Sequence, residues 1–453
     1  MIHRIGAFCR LLLAAVLIAS LAARPAAAQS LLRDTETEKL FDDMARPIIK
    51  AAGLDPRSVR IVLVNDPSIN AFVMQGQTVY IHSGLIRAAD NINQVQGVVA
   101  HELGHVAGGH AIRFTEGTKP ATGITIMSLL LGAAAMAVGA GEAGAAIMAG
   151  GQQAAMGKFL AFSRNQESAA DQAGARFLAG AHISGKGTLD FFKKLEQEEY
   201  RIGITRDDGF ASTHPLSADR IQVLEKLYRS SPWWDTPTDP ALEARFQRVK
   251  AKLTGFVEEP PRTLQIYPET DQSVPAHYAR AYAYHRGAYP DKAVQEADAL
   301  LATDPHDPYF LELKGQILLE SGKPKDAIPP LREAVQRSGN EPMIAALLGH
   351  ALIATEDKSY FNEAKGLLRT AVARDPDNPF AWYQLGVIYD REGDQPRAAL
   401  ATAERMNMQG NSMGALANAE LALRGLPTGT PDWIRAQDIA MVSRNDVRDK
   451  KKR

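Results

Sequence analysis

Residues 101–105 read His101-Glu102-Leu103-Gly104-His105. On an α-helix, positions i and i+4 share a face, so His101 and His105 can turn an imidazole nitrogen toward one metal ion. Glu102 then points beside that ion, where it can take a proton from water without being a ligand. With 11 histidines in 453 positions, a chance match to this pattern has odds on the order of one in a hundred. A metal site is therefore the leading reading, and two solvated helix-face histidines are the alternative. A catalytic zinc needs a third protein ligand and an open fourth position. A histidine six residues past His105 would be one source, but that position is Ala111 and His110 is one residue out of phase. A carboxylate from a later helix is the other source. Glu167-Ser168-Ala169-Ala170-Asp171 offers Glu167 as ligand and Asp171, one turn on, as acceptor for the other N–H of a ligand histidine.

The elements around these residues follow from periodicity. Apolar spacing suits a helix over 31–52, and Val59–Val64 reads as a strand. Ala71–Met74 and Thr78–Ile81 flank Gln75-Gly76-Gln77 as a hairpin, so a small antiparallel sheet is expected before the metal motif. Val95, Val98, Val99, Leu103 and Val106 give 94–107 helical spacing, with Gly108-Gly109 as its stop. Residues 121–141 carry no charge, and sequence rich in Gly, Ala and Met continues to about 157. The preferred reading is a helical hairpin that is buried or lies against a membrane or a partner, since small residues also pack helices closely. Further helices are expected over 155–181, 185–201 and 241–256. The fold class is therefore an α+β peptidase-type domain, mostly helical with a small sheet.

Glu258-Glu259-Pro260-Pro261 and the stretch from Pro268 to Pro275 read as a linker over 257–275. Beyond it the chain repeats. Gly315 to Gly349 is 34 residues and Gly349 to Gly386 is 37, with three extra residues near Glu356-Asp357-Lys358. Trp382-x-x-Leu385-Gly386-x-x-Tyr389 carries the tetratricopeptide signature, so 276–426 is expected to form about four helix pairs, an all-α superhelix that binds protein. Residues 427–453 are expected to be a C-terminal tail, whose Lys- and Arg-rich end from Arg444 to Arg453 is mobile and solvated. At the other end, Arg4, Arg10, the apolar run Leu11–Ala22 and Ala26-Ala27-Ala28 form a targeting segment over 1–28. The mature chain is expected to start near Gln29. The only cysteine, Cys9, lies in that segment, which leaves no disulfide and no thiol chemistry after cleavage. A composition 45% hydrophobic and 23% charged, with a net charge of −1, describes a globular chain and argues against a nucleic-acid partner.

The paired motifs His-Glu-x-x-His and Glu167-x-x-x-Asp171 resemble the HtpX and CAAX prenyl protease family of zinc metallopeptidases over roughly residues 35–256. Ile69-Asn70-Ala71-Phe72, Gly84-Leu85-Ile86, and Thr213-His214-Pro215-Leu216 with Arg220 add to the likeness. With the targeting segment and the repeat array, the layout looks most like the periplasmic BepA-type members, which act as proteases and chaperones in outer-membrane protein quality control. The resemblance implies one Zn2+ per chain held by His101, His105 and Glu167, with Glu102 as general base, in the periplasm. It makes His214 the histidine of the family's His-Pro loop, either stabilising the oxyanion or binding zinc itself. Asp171 and Arg220 become supporting residues, with Arg220 orienting the loop through a carboxylate, while His82 and His110 stay structural. An edge strand around Asn70, Ala71 and Phe72 would hold extended substrate by strand addition. The implied partners are unfolded or misassembled proteins, protein partners of the array such as outer-membrane assembly machinery, and a peripheral membrane contact through 121–157. Three functions compete: an envelope endopeptidase, a chaperone with latent proteolysis, and a scaffold with a structural metal.

Overall fold

The computed structural model describes residues 31–74, 76–137, 141–202, 214 and 218–450. The targeting segment over 1–28, and with it the expected start near Gln29, lies outside the described residues. The first domain runs β1 (Leu31–Leu32), α1 (Thr35–Ala51), β2 (Arg60–Val64), β3 (Ala71–Met74), β4 (Thr78–His82), α2 (Ser83–Ala88) and α3 (Ile92–Ala107). It continues through α4 (His110–Ala137), α5 (Gly141–Gly180), α6 (Lys186–Ile202), α7 (Ala218–Arg229) and α8 (Pro240–Val257).

The sheet has the order β1-β2-β4-β3. It is mixed, which corrects the all-antiparallel expectation: β3–β4 is the expected hairpin, with Phe72 opposite Tyr80, but β2 and β4 run parallel, Ile61 opposite Val79. From β2 the chain passes the position that β4 later fills, forms β3 and returns as β4, so that among the described residues β3 is an outer strand with β4 on one side. The far edge of an outer strand is a template for an added strand.

Helix α3 is the axis of the domain. Asn91 caps it by accepting from the Gln94 N–H, and side chains from Ile92 through His105 are buried on every face. A helix buried all round needs neighbours that come close, and its small residues allow this. A Cβ at Gly104 would lie 2.6 Å from the Ala170 carbonyl oxygen and 2.8 Å from its Cα on α5, and one at Gly97 would lie 2.2 Å from Thr188 Oγ1 on α6. Around this axis pack Leu40, Phe41, Met44 and Ile48 of α1, Ile81 of β4, and Phe191 and Phe192 of α6, all at most 2% exposed. The hairpin of α4 and α5 leaves this core. Leu130 is 63% exposed and Ile126 54%, so the alternative of a buried hairpin is corrected.

The segment read as a linker contains α9 (Pro260–Ile266) and is packed, with Thr263 fully buried. Helix pairs follow: α10 (Val274–Arg286) with α11 (Pro290–Thr303), α12 (Pro308–Glu320) with α13 (Pro324–Arg337), and α14 (Pro342–Ala354) with α15 (Phe361–Arg374). Then come α16 (Pro379–Arg391) with α17 (Gln395–Met408) and α18 (Ser412–Gly425) with α19 (Pro431–Lys450). The three inserted residues form a short 3-10 turn at Lys358–Tyr360. At two repeats the glycine is a packing requirement, since a Cβ at Gly315 would lie 2.4 Å from Leu331 Cγ and one at Gly349 2.8 Å from Leu368 Cγ. Within the expected C-terminal tail, α19 buries Ala436, Ile439 and Ala440 against α17 and α18, while Arg444, Arg448 and Lys450 are exposed.

The domains meet through buried charge. Lys252 of α8 reaches Asp34 and, at 3.3 Å, Glu36; Tyr278 of α10 donates to Glu36 at 2.7 Å; and Arg248 bridges Glu36 and Asp307.

Because the atoms facing Gly104 are backbone, Gly104→Ala must push α3 and α5 apart. Denaturant unfolding should show a loss of about 1–3 kcal/mol, and metal analysis a lower metal content. An unchanged midpoint with full metal content would contradict this packing account.

Candidate metal centre

Four side chains from three parts of the chain converge here. His101 and His105 come from α3, Glu167 from α5, and His214 from the segment before α7, and all four are buried. His101 Nε2 lies 3.1 Å from His105 Nε2, 3.3 Å from Glu167 Oε2 and 3.2 Å from His214 Nδ1. Glu167 lies 3.4 Å from His105 Nε2 through Oε1 and 3.1 Å from His214 Nδ1 through Oε2. Donors on a tetrahedral shell with bonds of ~2.0–2.1 Å stand about 3.3 Å apart. These spacings therefore suit one small ion among four donors.

Each imidazole has an outer partner that turns a lone pair inward. His101 Nδ1 sits 2.9 Å from Asp171 Oδ1, and Asp171 is itself held by Arg220, from Nε at 2.8 Å and a terminal nitrogen at 2.9 Å. His105 Nδ1 is 2.9 Å from His110 Nδ1. His214 Nε2 donates to the Ala71 carbonyl of β3 at 3.2 Å. A hydrogen bond on one ring nitrogen selects the tautomer and frees the other nitrogen to ligate.

Electrostatics agree with the geometry. For the chain's own groups, burial would pull His101 down, but hydrogen bonds to Asp171 and Glu167 override it and raise it to about 10. Burial, then the charge of His101, pushes His105 down to about 2. Burial would raise Glu167 and Asp171, yet both are held below the usual carboxylate range, Glu167 by His101 and His214 and Asp171 by His101 and Arg220. The centre thus favours a cation, with His105 kept neutral as a ligand must be. Burial pushes Glu102 upward. Among the described residues, neither of its buried oxygens receives a hydrogen bond, and His214 Nε2 lies 3.4 Å from Oε1. A buried carboxylate so placed fits a group that accepts a proton inside the site.

The structure thus brings together His101, Glu102, His105, Glu167, Asp171, His214 and Arg220. Of the residues read as substrate-holding, Ala71 contacts His214. Asn70 precedes β3 and accepts from the His82 N–H at 2.9 Å, and Phe72 stacks on Tyr80 with ring centroids 5.2 Å apart. Thr213, Pro215 and Leu216 lie outside the described residues. His110, expected to be structural, lies against His105, Nδ1 to Nδ1 at 2.9 Å. The five-residue spacing hides this, because the chain turns at Gly109, with φ +62°, before α4 begins.

The fold and site define a metallopeptidase. The chain matches Peptidase family M48 over residues 32–228, and tetratricopeptide repeats over 278–342 and 367–417. The metalloprotease LoiP of Escherichia coli (strain K12) is 32% identical over 197 residues, covering 42% of this chain and 70% of that protein. The beta-barrel assembly-enhancing protease of Yersinia pestis is 25% identical over 371 residues, covering 80% of this chain and 74% of that protein. Its counterpart in Escherichia coli (strain K12) is 24% identical over 388 residues, covering 84% and 77%. This chain belongs to peptidase family M48 and is a metalloendopeptidase with a C-terminal tetratricopeptide array, as the paired motifs and the repeats led us to expect.

Asp171 orients His101, so Asp171→Ala should weaken metal binding by about ten- to a hundredfold. Chelator competition measures this, and an unchanged affinity would remove Asp171 from the account.

Proposed function

We propose that this chain is a zinc endopeptidase of the bacterial periplasm that hydrolyses unfolded or misassembled envelope proteins. The observation that carries the reading is the set of four donor side chains, five of whose six pairs approach to 3.1–3.4 Å, with buried Glu102 beside them. In it, His101, His105 and Glu167 hold the metal, Asp171 and His110 orient the two histidines of α3, and Arg220 orients Asp171. Zinc held there would supply a Lewis acid for the scissile carbonyl and lower the pKa of an attacking water toward ~7. Glu102 takes the proton of that water on its carboxylate and returns it to the leaving amine.

His214 gives the site a resting state. Its Nδ1 lies among the donors while its Nε2 holds the Ala71 carbonyl of β3. A substrate strand added along β3 at Ala71 needs that carbonyl, and a catalytic metal needs an open position. Departure of His214 provides both at once. This favours latent proteolysis, and with it a share of chaperone activity through the array. The reading of envelope and outer-membrane substrates rests on the relatives named as beta-barrel assembly-enhancing proteases, whose likeness spans both domains. The array would dock partners such as outer-membrane assembly machinery.

Glu102→Gln should lower cleavage of an unfolded protein by on the order of 10²–10⁴ in rate, and full activity would exclude the mechanism. His214→Ala should raise basal cleavage above wild type. A fall as deep as that of Glu102→Gln would make His214 a catalytic group and not a latch. If Glu102→Gln also rescues an envelope-assembly defect as well as wild type does, chaperoning is the dominant activity.

A further inference from the structure

The outer part of the α4–α5 hairpin contributes no side chain to the metal centre, yet it is built unlike the rest of the molecule. Thr118–Met136 is long and apolar enough to cross a bilayer, with only 11% of it buried inside the protein. A core helix of that composition would be buried, and a targeting segment would lie at the N-terminus. The large aliphatic side chains point outward: Ile126, Met127, Leu129, Leu130 and Leu131 on α4 and Met156 on α5 are each at least 51% exposed. The two helices instead meet through small residues. A Cβ at Gly132 would lie 2.8 Å from the Gly144 carbonyl oxygen, and one at Gly151 would lie 2.0 Å from Ser128 Cβ. Small residues inside and large aliphatics outside is how helices pack when lipid surrounds them.

The polar groups fit the same surroundings. Thr122 donates to the Thr118 carbonyl at 3.2 Å, Thr125 to that of Ala121 at 3.1 Å and Ser128 to that of Thr125 at 2.9 Å. These hydroxyls are satisfied within their own helix, as a medium without water requires. Gln152 and Gln153 are the exceptions, exposed amides within this stretch. No charge occurs over 120–141 or 143–157. The pairing of Gly132 with Gly144 and Ser128 with Gly151, continued along the helices, brings Lys119 and Lys158 level with each other, and both are exposed. From Lys158 to the start of α5 is about 26 Å at 1.5 Å per residue, close to the ~30 Å of a bilayer's hydrocarbon.

We propose that this hairpin inserts into a lipid bilayer, with Lys119 and Lys158 at the level of anionic headgroups and Glu142 reaching the far interface. Lysine stems lie along the apolar boundary while their ammonium groups stay in the headgroup layer. The insertion sets a height. Glu167 is nine residues past Lys158 on the same helix, so the metal centre is held about 13 Å beyond the lysine level. Resting on the peptidase reading above, this selects substrate segments close to the membrane surface.

The test is flotation of the full chain with vesicles of phosphatidylethanolamine and phosphatidylglycerol, against vesicles of phosphatidylcholine. Wild type should float with the anionic vesicles, Leu129→Glu/Leu130→Glu should lose at least about tenfold in binding, and Lys119→Glu/Lys158→Glu should lose the preference for anionic lipid. Circular dichroism and cleavage of a soluble unfolded protein, both unchanged in these variants, show that the fold is kept. Wild type that stays with the soluble fraction, or a Leu129→Glu/Leu130→Glu protein that floats as well as wild type, overturns the proposal. Loss of soluble cleavage in wild type would count against the peptidase reading and leave flotation to decide this one. With vesicle-tethered substrates, cleavage should fall as the spacer carries the scissile bond away from the surface, and equal cleavage at every spacer length overturns the height selection.

Discussion

The site depends on the close approach of α3 and α5. Gly104 sits between the two metal-motif histidines and lets the backbone at Ala170, three residues past Glu167 and next to Asp171, come within contact distance. One crossing therefore sets two relations: Glu167 faces His101 and His105, and Asp171 reaches the outer nitrogen of His101. Burial of α3 on all sides then removes competing water, which makes each charge interaction stronger and each unpaired charge costlier. A cation at the centre would be stabilised by the carboxylates of Glu167 and Asp171 and would in turn make their burial tolerable.

Much of this was legible in the sequence because it is local. The i, i+4 histidines and the Glu167–Asp171 turn need only helical periodicity. Exclusion of a histidine at position 111 needs only the helix phase. The repeats declare themselves through glycines at fixed intervals, two of which, Gly315 and Gly349, sit where Leu331 and Leu368 leave no room for a Cβ. His214 was reached through family resemblance, since nothing local to it predicts that its ring crosses to the metal donors and to β3.

What was not legible is non-local or hidden by irregular backbone. A parallel β2–β4 pair requires the chain to skip a strand position, which alternation alone does not encode. The contact of His110 with His105 is hidden from helical periodicity because the positive φ of Gly109 ends one helix and restarts the next. In the C-terminal stretch the charged end from Arg444 is the conspicuous feature, while three small or aliphatic residues before it, Ala436, Ile439 and Ala440, suffice to seat a capping helix. The linker read from prolines is ordered for a related reason: Pro260 starts a helix instead of breaking one. In the hairpin, the absence of charge was evident, but only the structure shows that its aliphatic side chains face outward.

The central claim is that one zinc ion is held by His101, His105 and Glu167, with His214 completing the shell at rest. X-ray absorption at the zinc edge of the purified protein, with metal content determined alongside, tests it most directly. The account predicts one zinc per chain in a four-coordinate shell of three imidazole nitrogens and one carboxylate oxygen, and one imidazole fewer in His214→Ala. A protein that binds no zinc stoichiometrically, or a shell that is unchanged in His214→Ala and in Glu167→Ala, would contradict it.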